Sequence, residues 1–233
     1  MADVAPFTGF GPDALDFLDG LAADNSKSYF GANRAVYDHQ VAGPMKSLVV
    51  AVGDGLRERV SPAVEAEPKV GKSLFRINRD LRFSKDKTPY NPYVDAVFWE
   101  GSLPRTSPGF ILRIGADALV VGAGVFGLSG DRLARYRDAV VDDATGAELE
   151  ATIGASRRAV KGATLSEPQR KRVPAGYPSD HSRADLLCFD GLHLSVETTP
   201  PASITSARFV PWLLDRYEKL APFEQWLVRN VGD

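Results

Sequence analysis

The amino-terminal part of the chain and its last thirty residues carry apolar positions at helical spacing. In 12–23 and again in 45–56, apolar residues recur every three or four positions, which places them on one face of a helix. Ser26 or Asn25 is suited to cap a further helix between these two. The stretch 203–228 is also amphipathic, and we expect it to close the core or to form a dimer surface.

The middle of the chain alternates apolar and polar residues with a period of two, which predicts strands. The runs 110–114 and 118–121 flank a glycine-containing turn at 115–117 and predict a hairpin. A later run, 192–196, predicts another strand. Helices, then antiparallel strands, then helices, with a late strand and a helical end, indicate an α+β fold. We expect a mainly antiparallel sheet with helices packed largely on one side, and a single domain over 1–233.

A further helix is predicted to begin after Ser129. Tyr136 and Val140 fall on its inward face. The remaining positions carry basic residues that we expect to form mostly a solvated face: Arg132, Arg135 and Arg137.

Residues 72–93 are the most informative stretch, because basic and aromatic side chains are interleaved there. From 75 to 83 the residues alternate and predict a strand, with a return strand over 94–101. Arg79 falls on the apolar side of this alternation. Either the strand ends near Asn78, or Arg79 is partly buried and its guanidinium must pair with a carboxylate from elsewhere or hold a ligand anion. Between the strands, 84–92 contains two prolines and predicts a rigid loop.

Arginine and lysine side chains gathered on such a hairpin are the groups that a phosphate or carboxylate ligand requires. A solvated charged hairpin is the simpler interpretation. However, the charges are mostly of one sign and are interrupted by aromatic residues and prolines, in a chain of net charge −2. The residues expected to hold a small anionic ligand are Arg76, Arg79, Arg82, Lys85, Lys87, Tyr90, Asn33, Tyr37 and Arg172. The candidate proton-transfer groups are Asp80, Asp86 and His181.

Two functions remain open on this basis. The first is a binding module or enzyme that acts on a small anionic ligand. The second is a non-catalytic interaction protein whose basic hairpin docks an acidic partner or a nucleic-acid backbone. A concave pocket would favour the first and a flat basic ridge the second. Because the net charge is −2, we expect no specific nucleic-acid binding.

The amino-acid composition narrows the classes of protein to which the chain can belong. Apolar residues make up 44% of the 233 positions and charged residues 25%, as in ordinary globular proteins. One cysteine, Cys188, excludes an intrachain disulfide, and three histidines without ligand spacing predict no zinc site. We expect no metal and no cofactor. No secretory signal and no apolar span of about 20 residues is seen, so a cytoplasmic protein with no membrane partner is expected.

The run Gly122-Ala123-Gly124 follows a predicted strand but lacks the third glycine and the strand-helix-strand unit of a dinucleotide site. We expect a backbone bulge or a close approach of the chain to a ligand there.

The run RDLRFSKDKTPY, from Arg79 to Tyr90, resembles the signature of a bacterial and fungal family described as a domain of unknown function, DUF2461. Three further stretches are similar to motifs of that family: 24–30 with Asn33 and Tyr37, Gly122-Ala123-Gly124, and 172–177 with Asp180-His181. The amino-terminal motif is poorer in asparagine than is usual, and Ala123 stands where a third glycine is common. The resemblance implies no established activity.

Overall fold

The computed structural model describes residues 4–82 and 84–232. The helices are α1 (Asp13–Ala23), α2 (Lys27–Ala32), α3 (Arg34–Val36), α4 (Gly43–Arg59), α5 (Gly130–Val141), α6 (Asp143–Ala159), α7 (Ala184–Leu187) and α8 (Phe209–Val231). The strands are β1 (Tyr93–Trp99), β2 (Gly109–Gly115), β3 (Leu119–Val125), β4 (Thr164–Leu165) and β5 (Leu192–Thr198). Within these described ranges, no helix has the length and apolar character needed to cross a bilayer.

The five strands form an antiparallel sheet in the order β1-β2-β3-β5-β4. The predicted hairpin is confirmed, because the Gly115 N–H donates to the Ala118 carbonyl at 2.8 Å between β2 and β3. Alternate residues of the strands are buried against the helices, on what we call the inner face. Side chains on the opposite, outer face include Asp95, Ile111, Arg113, Val120, His193 and Ser195. The predicted α+β class is confirmed.

Helix α8 closes the inner face. The Tyr217 ring lies 6.0 Å from the Phe98 ring and 5.0 Å from the Phe110 ring, and its hydroxyl donates to the Ile111 carbonyl at 3.1 Å. The helix packs on β2 and β3 and also against α4, α5 and α6. The amphipathic stretch near the carboxyl end of the chain therefore builds the core.

The end of α8 is held by two arginines of α5. Arg132 Nε donates to the Val231 carbonyl at 2.8 Å, and Arg135 donates to the Gly232 carbonyl at 2.7 Å. Cations at a helix carboxyl terminus satisfy its free carbonyls and its dipole. Arg135 is exposed, as expected of a solvated face, whereas Arg132 is half-buried and departs from that expectation.

The helix predicted to start at Ser26 begins as expected but is interrupted. The Ser26 hydroxyl accepts the Tyr29 N–H at 3.0 Å, which caps α2. Where α2 ends, the Tyr29 carbonyl accepts both the Asn33 side-chain amide at 2.9 Å and the Asn33 backbone N–H at 3.0 Å. A π-helical turn, Tyr37–Ala42, joins α3 to α4.

The strand predicted over 75–83 does not form within its described part, 75–82, and Phe83 itself lies outside the described residues. This segment is extended and makes scattered bonds, including Phe75 N–H to Asp95 at 3.3 Å and Arg79 N–H to Pro89 at 2.9 Å. The facing prolines, at 89 and 92, have no N–H to contribute to a ladder. The return strand is confirmed as β1.

Candidate functional site

Two adjoining cavities lie on the outer face of the sheet, and together we call them the outer groove. The larger, of about 1210 Å³, lies between the segment 71–84 and the β1–β2 connection at 103–106. The smaller, of about 360 Å³, lies over β2, β3 and β5. They adjoin each other, because both are lined by Phe75, Asp95 and Arg105.

Arg79 lines the larger cavity and pairs with a carboxylate of the protein, which is one of the two partners expected from the sequence. Its guanidinium pairs with the Asp86 carboxylate and the Thr88 hydroxyl, and its side chain is 24% exposed. Asp86 is 59% exposed, so this is not a buried ion pair. The contact fixes the loop 84–90 against the extended segment that precedes it.

Two carboxylates near Arg79 and Arg82 are strongly stabilised in their ionised form. The Arg82 side chain, and then its backbone N–H, lower the pKa of Asp80 to about 2. The Thr88 backbone N–H, followed by the Arg79 side chain, lowers the pKa of Asp86 to about 2. Carboxylates of such low basicity are poor proton acceptors at neutral pH.

Arg76 and Arg105 differ from these paired arginines. Both line the larger cavity, and neither forms an ion pair with any acid in 4–82 or 84–232. Arg105 lies with its guanidinium carbon 4.7 Å from the centre of the Phe75 ring. The nearby Asp95 is already bound by Arg113, at 2.8 and 3.0 Å. Two positive charges of the groove are thus without a counter-charge among the described residues.

The smaller cavity combines an apolar floor with polar side chains that include His193 and Ser195. Ile111 and Val120 line its floor, and Phe126, which is 53% exposed, lines its side. The Phe126 ring centre is 5.3 Å from that of His193. Burial lowers the pKa of His193, so its imidazole is neutral at pH 7.

The remaining residues of the predicted hairpin site lie outside the groove lining. Lys85 is exposed, and Lys87 Nζ donates to the Leu81 carbonyl at 3.0 Å. Tyr90 is buried, with its ring stacked at 4.3 Å on Phe30. Its backbone N–H and carbonyl bond the Asn25 amide, each at 2.9 Å. Tyr90 therefore anchors the loop to α2.

Tyr37 belongs to the same anchor. Tyr37 packs against Phe17 and Phe30, with ring centres 5.7 and 5.3 Å apart. Since Phe30 also stacks on Tyr90, this aromatic cluster supports the base of the loop. Neither Asn33 nor Tyr37 lines the outer groove.

Arg172 and His181 lie elsewhere. The His181 Nδ1 atom accepts the Arg183 N–H at 3.0 Å, and Arg183 in turn donates to the Val140 carbonyl of α5 at 2.7 Å. Arg172 is exposed. The structure does not bring either residue to the lining of the outer groove.

The lining residues that the sequence-based set lacked include Arg105, Phe126 and His193. The alternation of 192–196 placed the His193 side chain opposite to Leu192 and Leu194, but it did not show which face was open. Arg105 lies in a connection of nine residues between β1 and β2, which is long for a hairpin and was the available signal.

The Gly122-Ala123-Gly124 run lies inside β3 in regular register with both neighbours. The expected bulge is therefore wrong. Gly124 has φ +151°, and a Cβ there would lie 2.4 Å from the Leu192 carbonyl oxygen. The close approach that requires glycine is to strand β5.

In the described parts of the chain, no group of three or more His, Cys, Asp or Glu residues is placed to hold a metal ion. The fold and the groove define an α+β protein with one sheet face closed by helices and an arginine-lined groove on the other.

Residues 13–226 match the family model of the conserved hypothetical protein DUF2461, and the chain belongs to this family. A search of curated proteins found no match. The resemblance noted around the run from Arg79 to Tyr90 is thus confirmed at the level of the family.

Proposed function

We propose that the outer groove binds a small ligand that carries a phosphate or carboxylate group. The observation that supports this most directly is the pair Arg76 and Arg105, which line one cavity without a carboxylate partner. A guanidinium stays charged at any physiological pH, and its fork of N–H donors matches the oxygens of these anions. An anion between the two would supply the missing counter-charge.

The other two arginines of the cavity support the proposal in a different way. Arg79 is bound to Asp86 and holds the loop 84–90, and Arg82 is bound to Asp80 within the preceding extended segment. A wall that is already ordered loses little conformational freedom when a ligand binds. The ligand would therefore meet a preformed site.

The chemistry of the groove supports binding in preference to proton transfer. Asp80 and Asp86 have pKa values of about 2 and accept protons poorly at neutral pH. His181, the third candidate, does not line the groove. The concave shape of the site favours a small ligand over an extended acidic partner, for which a flat ridge would be suited.

A titration of inorganic phosphate at constant ionic strength, followed by ³¹P NMR, tests the proposal. We expect the parent protein to broaden and shift the phosphate signal, and the Arg76→Ala/Arg105→Ala double variant to lose at least about tenfold in affinity, as removal of charged hydrogen bonds implies. Both arginines are exposed, so the variant should melt like the parent.

Arg157→Ala is the matched control, because Arg157 is exposed on α6 and does not line the groove. It should bind phosphate like the parent. Equal binding by the parent and the double variant would contradict the proposal, as would a loss of the same size in Arg157→Ala.

A further inference from the structure

We infer that the ligand of the outer groove is a planar aromatic or heteroaromatic compound whose anionic group is held by Arg76 and Arg105. This inference rests on the proposed function and specifies its ligand class. The evidence for it comes from the smaller cavity, on which the anion-binding argument did not depend.

The walls of the smaller cavity are flat groups. They comprise two phenyl rings, one imidazole and two guanidinium planes: Phe75, Phe126, His193, Arg105 and Arg113. Flat groups of this kind bind rings by offset stacking, edge-to-face contact and cation–π attraction, which an aliphatic group cannot match.

Several of these walls are fixed before any ligand binds. Arg113 is clamped by both oxygens of Asp95 and lies 3.7 Å from the centre of the Tyr93 ring. Arg105 lies over Phe75 at 4.7 Å. A cavity whose flat side chains are already held in place favours planar ligands, because a non-planar group would have to displace those side chains.

Exposed apolar side chains also lie at the outer groove. Among the described residues, three large hydrophobic side chains are more than half exposed: Val70, Leu103 and Phe126. Leu103 lines the larger cavity and Phe126 the smaller. A phenylalanine left 53% exposed beside a charged groove is a surface that a ring would cover.

Two polar groups of the smaller cavity are also available to a ligand. Neither the His193 imidazole nor the Ser195 hydroxyl forms a side-chain hydrogen bond within the described parts of the chain. A neutral imidazole offers one donor and one acceptor, and a hydroxyl offers both. Ring nitrogens or ring substituents of a heteroaromatic ligand would be recognised by these groups.

Arg105 is placed to contact both the anionic group and the ring of such a ligand. It lines both cavities, so an anion bound to it lies beside the smaller cavity. A ring attached directly to that anion would be placed toward the cavity that Phe126 and His193 line. The simplest compound with this arrangement is an aryl phosphate.

The experiment compares inorganic phosphate, phenyl phosphate and cyclohexyl phosphate, with binding measured by ³¹P NMR and the His193 ring protons observed by ¹H NMR. We expect phenyl phosphate to bind about tenfold more tightly than inorganic phosphate and several-fold more tightly than cyclohexyl phosphate, because stacking adds to the anion contact. The ring should shift the His193 signals. Phe126→Ala should remove the advantage of phenyl phosphate and leave inorganic phosphate unaffected.

Val70→Ala is the matched control, since Val70 is exposed to a similar extent, at 54%, and lines neither cavity. It should keep the advantage of phenyl phosphate. If phosphate binds but phenyl phosphate binds no more tightly than phosphate or cyclohexyl phosphate, the inference of a planar ligand is overturned and the proposed function stands. If none of the three compounds binds, both are overturned.

Discussion

Glu224 of α8 is a carboxylic acid enclosed in the core, with 0% of its surface exposed. The Gln225 amide donates to Glu224 at 2.9 Å and to the neighbouring Glu100 at 2.5 Å. Burial, followed by the charge of Glu100, raises the pKa of Glu224 to about 8. The side chain is therefore protonated in the folded protein at neutral pH.

This pKa makes the free energy of unfolding depend on pH. In the unfolded chain Glu224 has its ordinary pKa of 4.5, so the folded state holds the extra proton. The stability linked to this proton is complete below pH 4.5 and is lost as the pH rises from 4.5 to 8. Glu224→Gln cannot ionise and should be more stable than the parent at pH 8, by on the order of 3 kcal/mol.

Denaturant unfolding of the parent and Glu224→Gln between pH 4.5 and 8.5 measures this difference. Glu218→Gln is the control, because Glu218 is on the same helix but is 41% exposed. The two stability curves should converge near pH 4.5 and separate above it. A constant separation across the whole pH range would show that Glu224 is ionised in the folded state.

Single residues were the part of the site that sequence patterns predicted least well. The alternation of 75–83 correctly showed that Arg79 needs a partner, but that partner, Asp86, comes from the loop seven residues later. No periodicity carries that information, because a loop returns in a direction that its prolines and its hydrogen bonds determine. The sequence patterns did not predict Arg105 as a site residue for the same reason.

At the scale of elements, the segment 166–190 is fastened to α5 through a buried arginine. Arg137 was expected to be solvated, yet it is 8% exposed. It donates to Asp190 at 2.6 Å and to the Leu187 carbonyl at 3.3 Å. The helical pattern of α5 is amphipathic, but the segment folds back and covers part of its polar side.

Removing the acid of this pair should destabilise the protein. Asp190→Ala leaves the Arg137 charge buried without a partner, and we expect a loss of about 2–3 kcal/mol, below that of a fully buried pair because Asp190 is 28% exposed. The Asp190→Ala/Arg137→Met double variant should recover part of the loss, since no buried charge remains. Urea unfolding of both variants measures it, and a double variant no more stable than Asp190→Ala would contradict the explanation.

Elements with a complete hydrophobic pattern were predicted well. Helices α1, α4, α5 and α8 and strands β1, β2, β3 and β5 follow their periodicity, because each buries one face in the core. The segment 75–82 has the pattern of a strand without becoming one, since Pro89 and Pro92 opposite it lack N–H donors. Burial of one face of a strand requires alternating apolar and polar residues. A hydrogen-bonded ladder also requires a facing segment that has N–H donors.

At the scale of the whole molecule, the positive charge of the outer groove is local. The chain carries 28 basic and 30 acidic residues, and its net charge is −2. Attraction between the protein and a nucleic acid would thus come from a few arginines and would be opposed by the rest of the surface.

We therefore expect binding to nucleic acid to be weak and non-specific. Fluorescence anisotropy with labelled single-stranded oligonucleotides of different sequence should give dissociation constants weaker than about 10 µM at 0.15 M salt. The small affinity that exists should decline as salt is added and should not depend on sequence. A sequence-specific, salt-insensitive complex of nanomolar affinity would contradict this expectation.

The closure of the inner face by α8 has a consequence for how the protein is made. Tyr217 bonds Ile111, 106 positions earlier, and Trp226 bonds Thr145, 81 positions earlier. A ribosome delivers β1, β2 and β3 well before the helix that covers them. During that interval the apolar side of these strands lacks its cover, so we expect the nascent chain to need chaperone protection until residues 209–231 have been translated.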